Sequence, residues 1–170
     1  MLSLRFGSMT DAVETVEQPE NEEVEVPTRR LLLFEVGGSV FAAEMSAIRE
    51  IVPSQRVTRL PGAPATVSGL INLRGTIITV LDAGACLGLS SWRRNGGLVL
   101  LAGYLDGVIG VGIDDVRDIF DATEEQFGER PAKAPEGNAV CGVVEIDGDR
   151  ISLLDVPAMI QGILGQGEAG

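Results

Sequence analysis

The chain has 170 residues, 25 acidic against 13 basic side chains, no histidine, two cysteines and 45% apolar residues, for a net charge of −12 at neutral pH. This length supports one domain or two very small ones, with enough apolar material for a core. The charge argues against nucleic-acid and anionic-membrane partners, and the lack of histidine excludes imidazole triads, imidazole metal sites and a phospho-accepting imidazole within the chain.

Residues 1–28 carry seven acids and a single base, Arg5, which puts half of the total charge in a stretch with few large apolar residues. Such a segment cannot offset its own ordering entropy, and it reads as a disordered acidic tail. From Arg29 the chain becomes a series of short apolar runs broken by Gly, Pro or Asp-Gly, the texture of an all-β barrel or sandwich. Leu31–Val36, Gly37-Gly38 and Ser39–Ala43 predict a hairpin, and Thr76–Leu81, Leu98–Ala102 and Val140–Ile146 predict strands. Cys86 and Cys141 lie outside any CxxC unit and read as two buried thiols in a reducing compartment. Gly107-Val-Ile-Gly-Val-Gly112 spaces its glycines suggestively but runs into Asp114-Asp115, which would repel a phosphate. It reads as a strand whose glycines admit close backbone approach. Asp114-Asp115 and Glu124-Glu125 lack the spacing of a calcium loop, so no metal and no cofactor is expected. At the C-terminus Asp155 can cap a helix with Pro157 in its first turn and Val156, Ile160, Ile163 and Leu164 on one face. No apolar window is long enough for a membrane span and no signal-peptide core is present, so a cytoplasmic location without direct membrane insertion is expected.

An internal repeat organises these elements. Residues 69–82, GLINLRGTIITVLD, align without a gap on residues 142–155, GVVEIDGDRISLLD, and upstream Ile48–Val52 aligns on Val116–Phe120. Two units, about 31–82 and 98–155, therefore read as two copies of one small barrel. A barrel of that size is marginal alone, so the copies should pack together or exchange segments, with the terminal helix covering apolar surface.

An enzymatic reading has one candidate. Val80-Leu81-Asp82-Ala83-Gly84 resembles the Asp-Thr-Gly turn of homodimeric aspartic proteases, but Ala83 lacks the hydroxyl that supports the carboxylate pair, and Asp155 sits in a helix-cap context. The chain is not expected to be an enzyme, and no catalytic residue is assigned.

The stretch Gly69-Leu-Ile-Asn-Leu-Arg74-Gly75-Thr-Ile-Ile-Thr-Val-Leu-Asp82 resembles the signature of the CheW coupling proteins of bacterial chemotaxis. Ile48–Ile51, Val57–Pro61, 107–120 and 142–160 follow in that family's order, so the resemblance spans residues 31–164 of a CheW-like domain at 29–165. It implies two SH3-like five-stranded β-barrels packed together, with short helices and a C-terminal helix. It also implies a non-enzymatic adaptor that couples chemoreceptors to the regulatory domain of the histidine kinase CheA. By this resemblance Ile48, Glu50 and Arg74 bind the receptor, with Glu50 as the partner of the Arg74 guanidinium, and Val57, Thr58 and Gly69 bind the kinase. A kinase-binding scaffold without receptor contact, serving surface motility or another non-flagellar array, is the alternative. Thr79 stands where the family carries proline, which puts the edge character of that strand in question, and Ala83 stands where it carries leucine.

Overall fold

The computed structural model describes residues 26–92, 96–132 and 139–169, with side chains to 165. The acidic segment lies outside the described residues up to position 25, and Thr28 already belongs to a strand. The first half supplies β1 (Thr28–Val36), β2 (Ser39–Glu44), β3 (Glu50–Pro53), β4 (Val67–Leu73) and β5 (Thr76–Asp82), followed by a single helical turn α1 (Ala83–Cys86). The second supplies β6 (Leu98–Tyr104), β7 (Gly107–Ile113), β8 (Asp115–Thr123), β9 (Phe127–Gly128), β10 (Val140–Ile146), β11 (Asp149–Leu154) and helix α2 (Val156–Ala169).

The strands form two sheets, β3-β6-β7-β5-β4 and β8-β1-β2-β11-β10-β9. Under the sequence repeat β1 matches β6, β2 matches β7, β3 matches β8, β4 matches β10 and β5 matches β11, so the two orders are the same order written twice. The register repeats too. Leu81 lies opposite Val111 across the parallel β5–β7 pair, and Leu154 lies opposite Ala43 across the parallel β11–β2 pair. Each sheet takes its central hairpin from one repeat unit and its remaining strands from the other. Neither unit forms a sheet by itself, and of the two arrangements open to the sequence the chain adopts segment exchange.

Each sheet curls back on itself at an equivalent point. After β3 the chain returns so that Thr58 bridges Leu70 on β4, and after β8 the chain returns so that Gly128 pairs with Val143 on β10. The glycine that opens each repeat stands at this crossing. A Cβ on Gly69 would lie 2.2 Å from the Thr58 carbonyl oxygen, and one on Gly142 would lie 2.8 Å from that of Gly128. Both positions also carry a register shift in the hairpin. We call the β3–β7 body the first barrel and the other the second; the short β9 makes the second sheet six-stranded where five strands were expected.

Exchange explains the unbroken apolar runs. Leu31 and Leu33 point into the second barrel, whereas Leu32 and Phe34 join Leu81, Leu100, Val111, Ile113 and Ile160 in a core between the barrels. All four residues of Leu31–Phe34 are buried, because this stretch of β1 faces the second-barrel core on one side and the core between the barrels on the other. Helix α2 seals this shared core with Val156, Met159 and Ile160, while Ile163 and Leu164 pack at its margin. The glycines of β7 serve close approach: the Trp92 indole lies where a Gly112 side chain would stand, and Val99 crowds Gly110.

The expectation of two buried thiols is not met: Cys86 is half-buried against the shared core. Cys141 is exposed, because it sits at the register shift between Val140 and Gly142 and faces outward. Strand β5 is not an edge as the question over Thr79 supposed. It lies between β7 and β4, with Thr79 opposite Leu70.

Candidate partner-binding site

The signature segment folds as the β4–β5 hairpin, and its residues have separate physical tasks. Arg74 (φ +51°) and Gly75 (φ +86°) form a turn with both residues in the left-handed region, and Asp147-Gly148 repeats it in the second barrel. Asn72 fixes the turn, its Oδ1 accepting the Gly75 N–H at 2.9 Å. With the backbone so set, the Arg74 side chain crosses to the opposite end of the sheet. Its Nη2 donates to Glu50 Oε2 at 2.6 Å and its Nη1 to Oε1 at 3.3 Å. Because β3 and β4 are the two ends of the first sheet, this bidentate pair clasps the barrel across its seam. Both side chains remain solvent-accessible. The guanidinium, mainly through its hydrogen bonds, holds the Glu50 carboxyl below the ordinary glutamate value, and the Arg74 pKa is raised in turn.

Ile48, the third expected receptor-facing residue, is half-buried against the core between the barrels, just before β3. Around the clasp the outer surface is partly apolar, with Ile77 61% exposed on β5 opposite Asn72. Sequence reasoning assigned no role to Asn72 or Ile77. Asn72 was within reach, since an Asn two residues before an Arg-Gly turn is placed to accept an amide hydrogen bond.

Val57, Thr58 and Gly69 come together on the same barrel. A Gly69 Cβ would meet Val57 Cγ1 at 2.8 Å as well as the Thr58 carbonyl, and Gly69 has φ +148°, so the glycine is needed by the backbone whatever else it does. Beside them Leu60 is 45% exposed, flanked by exposed Arg56 and Arg59.

Asp82, the residue of the protease alternative, is 4% exposed and already occupied. Its Oδ1 accepts N–H donors from Ala85 (3.1 Å) and Trp92 (3.0 Å), and its Oδ2 accepts from Trp92 (3.1 Å). Its repeat mate Asp155 caps α2 through Ala158 N–H at 3.0 Å. The aspartate that closes each repeat is a helix cap twice over.

The CheW-like domain family model matches residues 30–163. The chain belongs to the CheW-like domain family. Among relatives of this CheW-like chain, the chemotaxis protein CheW of Rhizobium meliloti is 31% identical over 134 residues, covering 77% of this chain and 86% of that protein. The chemotaxis protein CheW of Thermotoga maritima is 29% identical over 133 residues, covering 78% and 88%. The crystal structure of the scaffolding protein TtCheW from Thermoanaerobacter tengcongensis superposes with a TM-score of 0.71 at 20% identity, covering 78% of this chain and 92% of that one. The CheW-like chain thus has the double SH3-like barrel fold expected from its signature. No helix among its described residues is long and apolar enough to cross a membrane.

Proposed function

We propose that this CheW-like chain is a chemotaxis-type adaptor that couples chemoreceptors to the histidine kinase CheA through protein–protein contacts, in the cytoplasm at receptor arrays. The observation that carries the reading is the family match across both barrels, 30–163, which includes the signature hairpin with its Arg74–Glu50 clasp. Ile48, Glu50 and Arg74 contact the receptor, and exposed Ile77 adds apolar surface beside them. Val57, Thr58 and Gly69 contact the kinase regulatory domain, with Leu60 at the same edge. The action is geometric. Holding both partners turns a weak bimolecular encounter into an intramolecular one at high effective concentration.

The test is reconstitution of a chemoreceptor cytoplasmic fragment, the CheA regulatory domain and this chain, measured pairwise and together. The adaptor reading expects the chain to bind each partner and to raise recovery of the other. Arg74→Ala should weaken the receptor arm, leave the kinase arm intact and move Tm by no more than about 2 °C, since the pair is exposed. A chain that binds kinase but no receptor would establish the scaffold alternative, and one that binds neither would refute the reading.

A further inference from the structure

The duplicated architecture makes each barrel a reference for the other, and at one position the copies differ. In the second barrel Arg117, just before Asp118 on β8, reaches across to Glu35 on β1, with Nη2 2.5 Å from Oε2. The repeat places Arg49 where Arg117 stands and Gly103 where Glu35 stands. The pairing confirms this equivalence, since Glu35 lies opposite Val40 and Gly103 opposite Val108. Arg49 occupies the corresponding space. A Cβ on Gly103 would come 2.6 Å from its Nη2 and 3.0 Å from its Cζ, so the guanidinium fills the space that a side chain at Gly103 would take. Gly103 follows Val99 and Leu101 on the inward face of β6, which sets Arg49 over the end of the first barrel. The carboxylate that serves this arginine in one copy is absent from the other, and the exposed Arg49 has no ion pair among the described residues.

We propose that Arg49 is a receptor-binding residue whose guanidinium accepts a carboxylate from the docking chemoreceptor segment, taking the place that Glu35 holds opposite Arg117. This rests on the adaptor reading above. Three observations favour an acidic ligand from that partner. The chain's own second copy shows a carboxylate as the group this guanidinium takes. Arg49 is the chain neighbour of Glu50, whose side chain is held by Arg74, so a segment seated on the clasp passes beside it. The two barrel ends also differ in charge. Arg49, Glu50 and Arg74, with Asp106 in the β6–β7 turn, leave the first without net charge, whereas Asp118 and Asp147 occupy the positions of Glu50 and Arg74 in the second, where Glu35 neutralises Arg117. An acidic segment is repelled by the second end and not by the first.

The test titrates a chemoreceptor cytoplasmic-tip fragment and, separately, the CheA regulatory domain into the full chain. Arg49→Gln should weaken receptor-fragment binding about fivefold, Arg49→Glu about tenfold or more, and both should flatten its salt dependence. Gly103→Glu, which rebuilds the internal pair of the other barrel, should weaken the fragment comparably while raising Tm. Kinase-domain affinity should stay within about twofold throughout. Should Gly103→Glu fail to fold, the exposed Arg49 variants still decide. Unchanged fragment binding in folded Arg49→Gln and Arg49→Glu, or a loss confined to the kinase domain, overturns the proposal. A wild-type chain that ignores the fragment overturns the adaptor reading itself, and Arg49 falls with it; wild-type binding with indifferent Arg49 variants overturns Arg49 alone.

Discussion

Gly69 is the position where structural need and partner contact are hardest to separate, and substitution by alanine separates them. The added Cβ would stand 2.2 Å from the Thr58 carbonyl oxygen, far inside van der Waals contact, and φ of +148° is poorly tolerated by any L side chain. Relief requires Thr58 to move away. That breaks its reciprocal bonds with Leu70, Thr58 N–H to Leu70 O and Leu70 N–H to Thr58 O, each 2.8 Å. Two backbone hydrogen bonds at about 1 kcal/mol each, with backbone strain of about 1–2 kcal/mol, give about 3–4 kcal/mol of destabilisation and a Tm lower by about 10 °C. Gly142→Ala meets a longer 2.8 Å contact at ordinary φ and should cost about 1–2 kcal/mol. Urea unfolding followed through Trp92 suits the measurement, because the chain has a single tryptophan, 5% exposed and packed in the first-barrel core. If Gly69→Ala costs less than about 1 kcal/mol, barrel closure is not what the glycine serves, and a loss of kinase binding in that variant would then report a direct contact.

Two further outcomes follow from the electrostatics and the thiols. The Glu44 carboxyl, held down chiefly by its hydrogen bonds with Arg29, contributes stability that is fully present above the ordinary glutamate value of 4.5 and is lost as pH falls through its lower folded value. The Tm difference between wild type and Glu44→Gln should therefore be constant from about pH 6 to 8, where no histidine titrates, and shrink below pH 4.5; a difference that grows on acidification would contradict this sign. Burial, with Asp82 nearby, pushes the Cys86 thiol up to about 12; burial also raises the Cys141 thiol, but that residue is exposed to the reagent. Ellman's reagent at pH 8 should modify one thiol in the folded chain, lost in Cys141→Ser, and equal rates at both would show that the core around Cys86 opens readily.

The elements most legible in the sequence were those fixed by local chemistry. The Gly37-Gly38 hairpin, the Thr76–Leu81 strand and the Asp155-capped helix need only turn residues, β-branching and a cap, and all three stand in the structure. The Arg74–Glu50 clasp was reachable through the family signature, since the two residues lie 24 apart and no spacing rule connects them. The exchange of hairpins was not decidable from the repeat. A duplicated sequence states which segments are alike, yet β1 meets the same kind of neighbours whether it pairs with strands of its own copy or the other. Arg49 was illegible for a related reason, because its meaning depends on what is missing at Gly103, on a strand from the other repeat unit.

Hairpin exchange also sets how the chain can respond to its partners. Separate barrels on a tether would hold two proteins near each other but transmit little, whereas here β1 and β2 of one unit form the centre of the sheet completed by β8, β10 and β11 of the other. The core between the barrels draws on both sheets and on α2, so moving one barrel relative to the other would break a continuous packed interior. It follows that neither half is a folding unit. If the chain is cut within residues 93–95, each fragment alone should lack a cooperative urea transition, because it holds a hairpin and three or more strands of two different sheets. The fragments mixed should recover one transition, with the Trp92 signal of the first fragment appearing only when the second supplies Val99, Leu101 and Gly112. A first fragment that folds alone would mean that β3, β4 and β5 close a core without β6 and β7, and the rigid link between the partner surfaces would then have to come from somewhere other than the shared hairpins.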